Sequence, residues 1–558
     1  MYNNARNFIC ALALLLAPSL LAAATPSPAV SSAHPLATQA GSEVLEAGGN
    51  AFDAAVAMAA VLAVVEPQES GLGGGGFFLM HRAAGRKDLV VDARETAPDA
   101  ATGDMYLDVD GRPVPRFSRD SPLGSAIPGT PAALAHISER MGSRSLADNL
   151  APAIELARKG FAVDAELVGA VRATAGRLSP AARAVFMPGG RVLQPGEKLV
   201  QRDLARTLQA LAARGAQGFY DGEVAARLRQ GVFNDGGIWR RDDLRRYRVA
   251  EREPAQITYR GHRVTTVPLP GAGGVTIAQM LGALEARDWP PSDDATAWHE
   301  LIEIMRLAHR DMAVHLGDPA FVDVPADRLT SRSYIRQMAA SVDRMAGTVP
   351  RTDVALLQQR EKGRNTTHFS VIDAAGNRVS ATLSINSLFG SGYMPPGTGV
   401  VLNNQMDDFA TAPLARDASG ALHTRANHVQ PHKRPLSTMT PIFVEGPRGI
   451  FITGTPGGSR TLNMTLLAVL LHVNGLDVEQ IVAAPRLHHQ YLPNVVEIEA
   501  NTLSGRQMQS LKQRGHTLRP QREVFGDMQA IHWDTERGVV EAASDPRGQG
   551  EARVLHAR

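Results

Sequence analysis

The sequence predicts a mixed α/β (α+β) fold, and three observations carry that prediction. Residues 365–386 read NTTHFSVIDAAGNRVSATLSIN. Phe369–Asp373 alternates, Ala374-Ala375-Gly376-Asn377 is turn-like and β-rich Val379–Asn386 follows, the signature of a hairpin. Ala51–Val65 is apolar on nearly every face, so it reads as a helix buried inside a large protein. Leu204, Leu208 and Leu211 share one face of a helix over residues 201–215, which Gly215 ends.

The remaining elements follow from local signals. A first helix over His34–Ala47 is stopped by Gly48-Gly49, and Asn50 is the expected N-cap of the next. Ser70–Phe77 (SGLGGGGF) lacks the Lys-Ser/Thr pair and the βαβ setting of a phosphate loop. Close backbone packing, or a pocket wall, is expected there instead. Asp88–Asp92 reads as a strand, with Arg94 just past its end, where binding residues are commonly presented. Residues 132–165 read as amphipathic helix, Tyr259–Pro268 as a strand, and Gly273–Ala286 and Trp298–Leu316 as helices. His299-Glu300-Leu301-Ile302-Glu303 imitates a zinc-protease motif, but Glu303 stands where the second histidine belongs, so a partly buried helix is expected. His488 and His489 would point to opposite sides of a strand, which disfavours shared metal ligation. Residues 358–365 are polar and aperiodic, suiting an exposed segment, and Ala410–His432 has the length of a lid.

Composition narrows the function classes. A chain of 558 residues with 44% hydrophobic and 20% charged residues can bury a large core. Its net charge of +2, without a basic block, disfavours nucleic-acid and membrane-surface binding. Residues 1–24 read as a secretory signal peptide: Arg6 precedes apolar Phe8–Leu16, and small residues end at Ala24. Pro18 interrupts the run, which falls short of the ~20 residues that span a bilayer. A periplasmic or secreted protein without a membrane anchor is expected. The sole cysteine, Cys10, lies inside that signal, so the mature chain is expected to fold without disulfides.

Chemistry concentrates at Thr366, at the start of the hairpin. A threonine hydroxyl is a poor nucleophile unless a base accompanies it. Cutting between Asn365 and Thr366 would free an α-amine on the same residue, and such an amine titrates near ~7.7–8.0. The hairpin therefore reads as a self-cleaving N-terminal-nucleophile site.

HPLATQAG, GGNAFDAAVA, VEPQESGLGGGGF, NTTHFSVID, NNQMDDF, KRPLS, PGGSR and ASDPR occur in this order along the chain. Together they resemble the γ-glutamyltranspeptidase family, over essentially the whole mature sequence. The resemblance implies a four-layer αββα sandwich of the N-terminal-nucleophile hydrolase type. It implies a precursor that cuts itself into a heavy subunit, 25–365, and a light catalytic subunit, 366–558, which stay together as a heterodimer. It implies Thr366 as nucleophile, Ser384 as the hydroxyl beside it, and Gly457 and Gly458 as the oxyanion hole. Arg94, Ser437 and Thr438 would grip the donor α-carboxylate, and Asn386, Gln405 and Asp408 the α-amino group. Glutathione and other γ-glutamyl compounds would be donors, with water, amino acids or peptides as acceptors. No metal or organic cofactor is called for.

The physical chemistry agrees with these roles. An amino-acid head needs a cationic fork for its carboxylate and an anionic acceptor for its ammonium. Consecutive glycines can turn two backbone N–H groups toward a developing oxyanion. Two departures stand out. Ser384 replaces the family's threonine, and no tyrosine occurs between Phe409 and Ser437 to serve as the aromatic gate of some members. A glutaryl or β-lactam side-chain acylase, or an uncleaved binding protein for glutathione-like peptides, are the alternatives.

Overall fold

The structure, a computed structural model, describes residues 25–292, 294–347, 365–410, 415–416, 422–423, 425–521 and 525–556. Residues 1–24, read above as a signal peptide, residues 358–364, and residues 411–414, 417–421 and 424 of the 410–432 loop lie outside them.

Two antiparallel sheets form the middle of the molecule. The first has seven strands, in spatial order Glu551–Val554, Ala29–Ser32, Thr367–Ile372, Arg378–Ser384, Gly75–Arg82, Lys87–Asp92 and Ala250–Arg252. The second has six: Val539–Ser544, Gln529–Asp534, Gly449–Gly454, Ile442–Gly446, His262–Thr266 and Ala255–Tyr259. Strand alternation sorts the side chains into layers. Phe77, Leu79, Ile372, Phe443, Ile452 and Ile531 point into one core between the sheets. Their neighbours Phe78, Met80, Phe369 and Val371 point the other way, into a core with the buried helix Ala51–Val65. On the far side, Ile442, Val444, Phe451 and Ala530 pack with Gly273–Ala286, Asp294–His315 and Arg460–Val473. This is the expected αββα order.

The hairpin forms at the centre of the first sheet, with Leu383 opposite Thr367 and Val379 opposite Val371. Asp373 builds its turn by accepting Ala375 N at 2.9 Å and Asn377 N at 3.0 Å. Its second oxygen accepts Ala51 N at 2.9 Å, docking the turn on the buried helix. That helix begins at a capping box in which Asn50 and Asp53 satisfy each other's backbone N–H groups. The glycine run is a close approach of backbones. A Cβ on Gly73 would stand 1.9 Å from Val401 O, and one on Gly74 would stand 2.2 Å from Ser384 O.

Three expectations change in detail. Residues 132–165 divide into helices Thr130–Met141 and Leu146–Lys159 and a short strand, Phe161–Ala162. Tyr259–Pro268 is not one strand but the turn and second arm of a hairpin, because Arg260 (φ 46°) and Gly261 (φ 77°) reverse the chain. The zinc-protease look-alike is fully buried rather than partly so. His299 Nδ1 lies 2.7 Å from His516 Nε2, Glu300 pairs with Arg344 at 3.0 Å, and Glu303 with Arg306 at 3.0 Å. Arg306 from the next turn and Arg344 from the segment after the helix Arg332–Ala340 make that burial tolerable.

Candidate active site

The strand ends of the first sheet converge on one loop of the second. Thr366 directly precedes the strand Thr367–Ile372, and Ser384 ends its hairpin partner. Arg94 lies two residues past Lys87–Asp92. Gly457 and Gly458 sit between the strand Gly449–Gly454 and the helix Arg460–Val473.

Around Thr366 three oxygens cluster. Its Oγ1 lies 2.7 Å from the carbonyl oxygen of Asn365 and 3.0 Å from Ser384 Oγ. Ser384 Oγ reaches the same carbonyl at 3.1 Å and accepts Asn386 N at 2.8 Å. Asn386 has φ 76°, a left-handed conformation that asparagine tolerates better than most residues, and this aims its N–H at the serine. A hydroxyl thus touches the carbonyl that precedes the threonine, and the threonine hydroxyl touches both. Behind the pair, the His368 ring is buried between the sheets, with Nδ1 2.9 Å from Thr382 Oγ1. Burial pushes its pKa down to about 3, so it stays neutral.

A second cluster surrounds Arg94, which is 1% exposed. Nε donates to Pro435 O at 3.2 Å, and Nη1 to Glu95 Oε2 at 3.3 Å. Nη2 donates to Leu436 O at 3.1 Å and to the Asp408 carboxylate. Tyr247 Oη fixes the backbone by donating to Arg94 O at 2.9 Å. Glu95 also faces Gln405, and burial pushes its pKa up to about 7, above the opposing pull of Arg94. Sequence reasoning did not single out Glu95. Its signal was adjacency to Arg94 inside VDARETAP.

The two clusters are joined through the protein. Asn386 Nδ2 donates to Asn404 O at 3.0 Å, and Gln405 follows next in the chain. On the other side Leu436 leads to Ser437, whose Oγ accepts Met439 N at 3.2 Å, and to Thr438, whose Oγ1 donates to Gly458 O at 2.8 Å. All ten predicted residues therefore lie along one path of hydrogen bonds and chain neighbours from Thr366 to the glycine pair. Gly457 (φ 143°) and Gly458 (φ 59°) both need conformations that side chains disfavour. A Cβ on Gly457 would also come within 2.5 Å of Met464 Cε. The pair stands at the N-terminal, positive end of a 14-residue helix, a natural place to receive negative charge. Among the described residues no group of three or more His, Cys, Asp or Glu could hold a metal ion.

Comparison with known proteins places this geometry. The sequence profile described as Gamma-glutamyltranspeptidase matches residues 37–555. The chain belongs to the γ-glutamyltranspeptidase family. It is 38% identical over 504 residues to the glutathione hydrolase proenzyme of Pseudomonas sp. (strain A14), covering 89% of this chain and 87% of that one. It is 37% identical over 527 residues to the glutathione hydrolase proenzyme of Escherichia coli (strain K12), covering 93% and 90%. Among solved structures, the cephalosporin acylase from Bacillus halodurans superposes with a TM-score of 0.84 at 27% identity, covering 100% of this chain and 98% of that one. Within this γ-glutamyltranspeptidase-family fold, no helix of the described residues is long and apolar enough to cross a membrane.

Proposed function

We propose that this chain is a self-processing γ-glutamyltransferase and glutathione hydrolase, with Thr366 as its nucleophile. One observation carries the reading: Thr366 Oγ1 stands 2.7 Å from the carbonyl oxygen of Asn365, with Ser384 beside both. In the uncut chain, Oγ1 attacks the Asn365 carbonyl carbon while Ser384 donates to its oxygen. The peptide shifts to an ester, and water releases residues 25–365 from residues 366–558. The mature Thr366 then attacks the γ-glutamyl amide, its own amine taking the proton. The acyl-enzyme passes the γ-glutamyl group to water or to the amine of an amino acid or peptide.

The Arg94–Asp408 pair accounts for recognition of the donor. Asp408 occupies on the guanidinium the place a substrate carboxylate would take. When that carboxylate binds, Asp408 turns to the substrate ammonium, so two internal partners are exchanged for two external ones. Gln405 and Asn386 complete the ammonium side, and Ser437 and Thr438 the carboxylate side.

Backbone N–H groups at Gly457 and Gly458 serve the oxyanion. Gly457→Ala is expected to lower kcat by about 10²–10³-fold, the loss typical of one oxyanion donor, with little change in KM. Steady-state kinetics on a γ-glutamyl anilide check this.

The cephalosporin acylase likeness favours one second reading, an acylase for glutaryl-type amides. Such a substrate has no ammonium and no use for Asp408. The two readings part on γ-glutamyl-p-nitroanilide against glutaryl-p-nitroanilide. Faster release of nitroaniline from the γ-glutamyl compound is expected, and the reverse order would overturn the assignment. Export through the residue 1–24 signal, to a periplasm or the medium, belongs to the same proposal.

A further inference from the structure

Thr366 also borders a cavity of about 240 Å³ that lies apart from the Arg94 cluster, and Asn365 and Glu69 share its wall. The Glu69 carboxylate faces the backbone N–H of Thr366 across that wall. One residue further on, Thr367 Oγ1 donates to Glu66 Oε2 at 2.8 Å. Glu69 is fixed by its own backbone: its N–H donates to Glu66 O at 3.0 Å, and its carbonyl accepts Ile385 N at 3.1 Å. The segment before the glycine run is thereby tied to the strand end that carries Ser384. The nitrogen that Glu69 faces is the atom that becomes the α-amino group once the Asn365–Thr366 bond is cut.

We infer that Glu69 is the positioning residue of the Thr366 α-amino group, holding that nitrogen first as the scissile amide and then as the base of the mature enzyme. The inference rests on the N-terminal-threonine reading above and deepens it. A carboxylate beside the amine orients its lone pair and favours its ammonium form, raising its pKa above the ordinary ~7.7–8.0. Other charges face the same space. Glu66, Glu166 and Asp527 add negative potential, while Arg460 and Arg547 on its wall oppose them. His34 and Asp164 stand behind Glu66 and partly cancel. Burial, with like charges from Glu166 and Glu66, pushes the Glu69 carboxyl well above its ordinary range. The chain cut would install a cation where these carboxylates crowd.

Glu69→Gln keeps the shape and one acceptor oxygen but removes the charge. The acid limb of kcat/KM reports loss of a proton from the ammonium. Without the carboxylate the ammonium is less stable, so the free amine persists to lower pH. In full-length, self-processed protein with γ-glutamyl-p-nitroanilide, the limb is expected to move down by about one pH unit. Glu66→Gln, which loses only the more distant charge, should move it less. A merely structural role would lower kcat without moving the limb. If wild type is cut and active but the Glu69→Gln limb overlays it, the Glu69 assignment falls and the family-level reading stands. If wild type is uncut, or idle on the anilide, both fall. Should Glu69→Gln yield no cut chain, Glu69→Asp decides. Its carboxylate is retracted by one methylene, so a lowered limb supports the assignment and an unmoved one overturns it.

Discussion

Thr366→Ala is expected to yield one uncut chain and to lose γ-glutamyl hydrolysis by more than about 10⁴-fold, the scale of removing an acyl-transfer nucleophile. Both losses follow from one oxygen. Thr366 Oγ1 is the atom 2.7 Å from the Asn365 carbonyl oxygen, and the same atom must later take the γ-glutamyl group. Ser384 cannot substitute. It reaches the carbonyl oxygen at 3.1 Å, but its residue carries no amine to accept the proton. Thr366→Ser keeps the oxygen and is expected to retain both cleavage and turnover. Intact-mass analysis with N-terminal sequencing checks the pair. A fragment starting at position 366 in the alanine variant would show that an outside protease makes the cut, and self-processing would have to be abandoned.

What was legible in the sequence, and what was not, has a physical pattern. The hairpin was readable because a period of two and a glycine turn are local properties. The buried helix Ala51–Val65 was readable because only a large core accepts a segment apolar all round. The Tyr259–Pro268 hairpin turn was missed because it uses Arg260 at positive φ, where asparagine, aspartate or glycine would have announced it. Glu69 and Glu95 were missed for another reason. A lone carboxylate in sequence reads as a solvated charge. Only the fold shows that one meets the Thr366 N–H and the other the Arg94 fork. The binding roles proposed for Asn386, Gln405, Ser437 and Thr438 came from motif order alone. Their convergence depends on which strand ends meet, and that is a property of the two sheets together.

Arg94→Ala is expected to spare chain cleavage and to raise KM for a γ-glutamyl donor by about 10²–10³-fold. Cleavage is spared because the contacts among Thr366, Asn365, Ser384 and Asn386 involve no atom of Arg94. The KM effect follows from what the guanidinium holds. Truncating one partner of a buried, hydrogen-bonded charge pair typically costs about 2–5 kcal/mol, and each 1.4 kcal/mol is tenfold in affinity. The loss has two parts. The substrate carboxylate forfeits its fork, and Asp408 and Glu95 are left facing each other without their shared cation. Glu95, already pushed up to about 7, would then rise further and stay protonated at neutral pH. Arg94→Lys should recover only part of the loss, because an ammonium restores the charge but cannot engage two carboxylates and two backbone carbonyls in one plane. Michaelis kinetics and intact mass on the same preparations test the claim. An unchanged KM in Arg94→Ala would mean that the donor head binds elsewhere, and the ammonium roles of Asp408 and Gln405 would fall with it.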